Sequence, residues 1–374
     1  MSSLAAGGIR VALERAMRSY RSSGALLVLS GSITGAALAV AGSRVVDAPA
    51  LLAAMLLGGA AAGAAAAFAI PLKPHDAPKR VTVSVKPVEL ERFVLRRWLT
   101  ATILLGIVIA TLLVRFWHFN DVGYNSDEAV YAGQGAGIAH DPQLAPYFPV
   151  FRAHPLLFQS VVAIGYELHQ GDWFGRAAAI CFGALCVLAT FELGRLLYGV
   201  RVGLIAAAVL AVMPYHVIVS RQVLLDGPQA FFTIVTLCLL IRFARSGRTL
   251  WLCCAAAGMG LSVLAKEPSV IFCGAVYAFF ALTPEIRVSV RAMLLSLAVL
   301  AITVVPYPLA LALSGQTGTG GNFLAWQLLR RPNHSLGFYL TVVPTSIGLA
   351  VCAFAALSLL ARANRRRWSW RETL

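Results

Sequence analysis

The sequence predicts an all-α, polytopic membrane protein of about ten transmembrane helices, with an outer-face loop carrying short interfacial helices. Three observations predict it. The 374 residues are 59% hydrophobic and only 13% charged, and the mean hydropathy of +0.77 is above what a soluble domain of this size reaches. Apolar runs of roughly 16 to 25 residues, long enough to cross a hydrocarbon layer of about 30 Å as helices, recur along almost the whole chain. The basic residues sit in short clusters between these runs, as the positive-inside rule requires. The net charge of +15 therefore does not indicate nucleic-acid binding, which needs Lys and Arg gathered on one folded surface with aromatics among them.

In chain order, the candidate spans are residues 25–43, 50–70, 99–118, 176–196, 202–220, 227–243, 249–265, 268–284, 289–313 and 338–361. The first follows Arg10, Arg15, Arg18 and Arg21 and looks like a signal peptide, but a second span follows within a few residues, which favours a retained hairpin. Residues 1–70 thus read as a cytoplasmic segment plus hairpin, and 71–98, with four prolines and a run of basic residues, as a cytoplasmic linker. Residues 99–361 form the transmembrane core with outer loops at 119–175 and 314–337, and 362–374 form a basic cytoplasmic tail. The segment PLLFQSVVAIGYELH, 155–169, is apolar but short, and charge decides its place. If it lies along the outer interface, most of the 31 Lys and Arg fall on the cytoplasmic side with both termini; if it crosses, the RANRRRWSWR tail is left outside, against the rule.

That topology puts the chemically interesting residues on one face. Asp127 and Glu128, in YNSDEAVYAGQGAG, stand together after a nearly uncharged run. They either complement a helix start next to Asn125 and Ser126, or form an acidic site at the membrane surface, where partial desolvation moves a carboxylate towards a usable base. Arg176 opens a span and is either an interfacial anchor beside Trp173 or a cation facing the acids. Arg221 and Asp226 share a tight turn, SRQVLLD, where Asp226 either caps the next helix or is functional. Lys266 and Glu267, in LAKEPS, pair with each other, or Lys266 meets a phosphate while Glu267 caps a helix. Arg330 and Arg331 are a basic doublet where charge economy would not place one, and together with Lys266 they point to an anionic ligand.

Other signals are weak. GTGG lacks the GK[ST] of a phosphate loop, and GQGAG lacks the third glycine and preceding strand of a dinucleotide site. His118, His140, His154 and His169 fall in the first outer loop without the spacing of a metal site. The seven cysteines lie in apolar runs and read as small buried hydrophobes.

Taken in order, NSDEAVYA, FRAHPLLFQ, the Arg opening GRAAAICFGALCVLATFELGRLLYG, the SRQVLLD turn and the LAKEPSVIF turn resemble the GT-C class of integral-membrane glycosyltransferases, in the branch of protein O-mannosyltransferases and lipid A aminoarabinose transferases. The resemblance runs from about residue 99 to about 360. It implies a polyprenyl-phosphate sugar donor, an outer-face active site and a His-Pro helix lying along the membrane. By position it implies Asp127 as catalytic carboxylate beside Glu128, Asp226 as second acid, and His154, Arg176, Arg221, Lys266 and Arg330 as donor-binding residues.

This chain departs from the family in three places. Ala153 precedes His154-Pro155 where many members have His-Pro-Pro or Lys-Pro-Pro, which leaves Arg152 or His154 as the cation there. Trp326 and Gln327 stand where some members place a metal-binding His, so a divalent cation is left open as a cofactor and no metal ligands are assigned. Most members continue into further spans past a tail of this kind, so a short variant or a truncated chain is expected.

The implied reaction moves a sugar from the lipid phosphate to an acceptor hydroxyl with inversion; the acceptor is a protein, a lipid or a glycan. The alternatives are a transporter or lipid flippase, which would show ionisable residues in mid-membrane and broken helices in two related halves, and an inactive subunit.

Overall fold

A computed structural model of the chain describes residues 97–151, 154–170, 173–283, 286–314 and 335–363. Among these residues every regular element is a helix and there is no strand. The predicted spans 25–43 and 50–70, the linker to residue 96, most of the loop 314–337 and the tail from 364 lie outside the described residues.

The elements are α1 (Arg97–Phe116), α2 (Ser126–Ile138), α3 (Leu157–Glu167), α4 (Trp173–Tyr198), α5 (Val200–Val212), α6 (Pro214–Val219), α7 (Asp226–Ser246), α8 (Thr249–Ala265), α9 (Val270–Leu282), α10 (Val290–Val304), α11 (Pro306–Leu313), α12 (Leu336–Ile347) and α13 (Leu349–Ala363). Among the described residues four stretches are long and apolar enough to cross a membrane: α1, α4, α7 and Val290–Leu313, built from α10 and α11. The bent pair α12 and α13 makes up to five if it is one span. These apolar helices make the chain an integral membrane protein.

Two of the ten expected spans lie outside the described residues, and among the others the helices are interrupted at local features. The run 202–220 breaks at Met213, which is extended (ψ 120°) ahead of Pro214, because proline pushes the residue before it out of the helical region. The run 338–361 bends by 109° at Gly348, whose φ of 96° lies where L side chains are disfavoured. The turn Glu267–Ser269, entered through Pro268, separates α8 from α9; α8 has 17 residues, at the lower end of what can span, and α9 has 13, which falls short of it.

The long helices pack in sequence: α4 lies against α5 and α7, α7 against α8, α8 against α10, and α1 against both α4 and α5. One end of this bundle carries α2 and α3. At 11 residues, or about 16 Å, α3 is too short to cross, as the charge argument expects. It does not lie open on an interface, however: seven of its residues, Leu157 to Gly165, are buried against α2, α4 and α8.

The GQGAG glycines explain how α2 fits there. A Cβ on Gly133 would fall 2.3 Å from the Phe148 ring, one on Gly135 2.8 Å from Val162, and one on Gly137 2.7 Å from the Phe148 carbonyl. Their role is close packing. Two of the loop histidines also have a backbone role: His140 and His169 adopt positive φ, 53° each, as each closes the end of a helix. The amides that follow reach back to Ala136 O and Gly165 O, both at about 3 Å.

Candidate functional site

The site begins at the start of α2. Asn125 is extended and accepts hydrogen bonds from the Asp127 and Glu128 amides at 3.0 and 2.9 Å, while the Glu128 carboxylate accepts from the Asn125 amide at 3.2 Å. This reciprocal cap fixes the first turn and points its two acids in different directions.

Glu128 turns inward and is 2% exposed. It accepts from Arg176 Nε at 3.0 Å, from Arg176 Nη2 at 3.1 Å and from the Val223 amide at 3.0 Å. With the Asn125 amide, each of its oxygens accepts two hydrogen bonds, which fills its capacity. Arg176 is equally committed. Beyond Glu128 it donates to the carbonyls of Phe119, Val122 and Gly123 at 3.2, 2.6 and 3.2 Å, and its guanidinium stacks over Tyr124 at 4.7 Å. All five N–H groups are engaged. Glu128, expected at the chemistry, and Arg176, expected at the donor phosphate or facing the acids, form a buried pair that ties 119–124 to α4 and to the turn before α7.

Asp127 is exposed. Tyr131, one helical turn on and on the same face, is buried with its ring edge-to-face against His154 at 5.7 Å. Burial, then the charges of Asp127, Asp226 and Glu267 in that order, push the Tyr131 phenol well above its ordinary pKa. The charges of carboxylates on three separate segments are therefore felt at one phenol. Asp226 is not a cap, since α7 has no side-chain cap; both its oxygens accept from Lys266 Nζ, at 2.9 and 3.0 Å. Glu267 does not pair with Lys266 but accepts from His154 Nδ1 at 2.6 Å, and the Tyr307 hydroxyl donates to the His154 carbonyl at 3.3 Å.

The structure thus brings together Asp127, Asp226, Lys266 and His154, and adds Glu267, Tyr131 and Tyr307. Arg221 lies apart, donating to the carbonyls of Trp117 and His118 at 2.6 and 2.9 Å. Arg330 lies outside the described residues. Arg115, which the sequence reading passed over, is fully buried near the end of α1. It donates to Ser220 Oγ at 2.8 Å and to the Ala211 carbonyl at 2.9 Å, and its Nη2 lies 2.7 Å from His216 Nδ1. This anchors the start of the turn leading to Asp226. The signal was its type: an Arg inside an apolar run is costly unless it is paired.

Among the described residues no three His, Cys, Asp or Glu side chains are grouped to hold a metal ion. Asp226 and Glu267 already serve Lys266 and His154, so this donor set does not fit a divalent cation.

Residues 153–310 match the family model described as dolichyl-phosphate-mannose-protein mannosyltransferase. The match includes His154, Arg176, Asp226, Lys266, Glu267 and Tyr307, and begins after Asp127 and Glu128. It bears out the resemblance to the GT-C class and supports a glycosyltransferase. No curated protein matches the chain.

Proposed function

We propose, taking the mannosyltransferase-type match over 153–310 as premise, that the chain transfers a sugar from a polyprenyl-phosphate donor to an acceptor hydroxyl on the outer face of the membrane, with inversion. The observation that supports it most is the linking of Asp226 to Lys266 and of Glu267, the next residue, to His154, with Tyr131, one turn on from Asp127, packed against the His154 ring.

In this reading the donor's isoprenoid tail stays in the lipid and its phosphate faces Lys266, which Asp226 holds in place. Arg330 is a second cation for the phosphate. Asp127, exposed at the start of α2, takes the proton of the acceptor hydroxyl as that oxygen bonds to the anomeric carbon. The bond from that carbon to the phosphate oxygen breaks, and its electron pair leaves with polyprenyl phosphate. The leaving group is already a stable anion, so a positioned base and cations suffice without a strong acid. Glu128 and Arg176 act at one remove, by fixing the turn that presents Asp127.

The test is to supply membranes containing or lacking the protein with polyprenyl-phosphate mannose radiolabelled in the sugar. Label that leaves the lipid fraction only with the protein present, and whose linkage is inverted at the anomeric carbon, agrees with the proposal. A product that retains the donor's configuration contradicts it.

A further inference from the structure

Two arginines cross between the end of α1 and the turn before α7, each reaching from its own segment to the other. Arg115, near the end of α1, donates from Nε to Ser220 Oγ at 2.8 Å. Arg221, the residue after Ser220, donates back from Nη2 to the carbonyls of Trp117 and His118, at 2.6 and 2.9 Å. Trp117 and His118 open the segment that leads to Asp127, and Ser220 and Arg221 open the one that leads to Asp226. The crossing therefore lies at the common root of the two acids.

Arg115 reaches Ser220 through the break at Pro214. Pro214 has no N–H for the Leu210 carbonyl, and the extended Met213 takes the Tyr215 amide away from Ala211. Two side chains replace these donors. Arg115 Nη1 donates to the Ala211 carbonyl at 2.9 Å, and the His216 ring donates to the Leu210 carbonyl. His216 Nδ1, facing a group that only donates, accepts from Arg115 Nη2 at 2.7 Å. On α4, Gly183 makes room for the group: a Cβ there would fall 2.6 Å from Ser220 Cβ and 3.3 Å from Arg115 Nε.

One detail separates this arrangement from a purely structural brace. Arg115 is fully buried, and among the described residues its partners are all neutral. A buried cation without a counter-charge is costly. An apolar side chain and an unbroken α5–α6 helix would hold the bundle together without that cost, but would send Ser220 and Asp226 in another direction.

We propose that Arg115 and Arg221 are positioning residues for the transfer: by locking the end of α1 to the turn before α7, they set the place of Asp127 relative to Asp226 and its partner Lys266. Arg221 then holds protein carbonyls, not the donor phosphate. This rests on the roles of Asp127 and Lys266 given above.

The test measures kcat and donor KM for transfer of radiolabelled mannose from polyprenyl phosphate by the full-length protein in nanodiscs, beside thermal unfolding. Arg221→Gln releases the carbonyls of two exposed residues, Trp117 and His118, so its melting temperature is expected to stay near the wild-type value. Its kcat is expected to fall about 100-fold, the effect of displacing a reacting group by about 1 Å, with donor KM unchanged. Arg115→Met is expected to unfold at a lower temperature, because it leaves buried acceptors unsatisfied. Adding Pro214→Ala supplies a backbone donor and lets α5 run on into α6. The double variant is expected to regain stability without regaining kcat.

A higher donor KM in Arg221→Gln without loss of kcat would make Arg221 a donor ligand and overturn the positioning role. So would a wild-type kcat in Arg221→Gln, or a kcat that returns together with stability when Pro214→Ala is added to Arg115→Met. Those results leave the transfer reading standing. If the wild-type protein transfers no sugar, both fall.

Discussion

Lys266 holds both carboxylate oxygens of Asp226, 40 residues earlier in the chain, at 2.9 and 3.0 Å. The two side chains remain 25% and 44% exposed, so as an ion pair they contribute about 0–1 kcal/mol to folding. Such a pair can be broken without unfolding the protein. Lys266→Met is expected to lower sugar transfer about 100-fold while leaving the melting temperature in detergent within a few degrees of wild type. Transfer measured at equal protein amounts, beside a thermal unfolding curve, checks both.

The Glu128–Arg176 pair behaves in the opposite way. Both groups are buried and fully hydrogen-bonded, so Arg176→Met leaves a carboxylate alone in the interior at a cost of about 3–5 kcal/mol. The expected result is a melting temperature far below that of Lys266→Met, with lower yield. Adding Glu128→Leu to Arg176→Met is expected to recover part of the loss, because no charge is then buried alone. Thermal unfolding of the three proteins decides it.

These two pairs show how far the sequence could be read. That Asp226, Lys266, His154 and Arg176 matter was legible because charge is expensive beside long apolar runs, and a chain with 16 acidic residues leaves few to choose from. Which charges pair was not legible, since the partners of Glu128, Asp226 and Glu267 lie 48, 40 and 113 residues away. Adjacency in sequence does not give the pairing: Glu128 bonds away from Asp127, and Glu267 away from Lys266, because a helix and a tight turn each send neighbouring side chains apart. The spans α1, α4 and α7 were legible from unbroken apolar runs. The breaks at Met213–Pro214 and Gly348 were not, because average hydropathy does not register where the backbone turns.

Tyr131 makes the acidic cluster measurable. Its pKa is raised in the folded protein, first by burial and then by Asp127, Asp226 and Glu267. The folded state therefore resists losing this proton, and the unfolded chain gives it up near the ordinary value of 10.0. Stability from this group is fully present below pH 10 and falls above it by about 1.4 kcal/mol per pH unit, until the folded-state pKa is reached. Urea or thermal unfolding between pH 9 and 11 is expected to show the decline, and Tyr131→Phe to remove that part of it.

Asp127 is the exposed acid at the head of this cluster, and its assignment as the base is the centre of the account. The most direct measurement is transfer of radiolabelled mannose from its polyprenyl phosphate carrier by membranes holding equal amounts of wild type and Asp127→Asn. The expected result is a fall of about 10³-fold, the size of a lost general base, with the melting temperature unchanged because the side chain is exposed. Turnover of Asp127→Asn near the wild-type rate would contradict it.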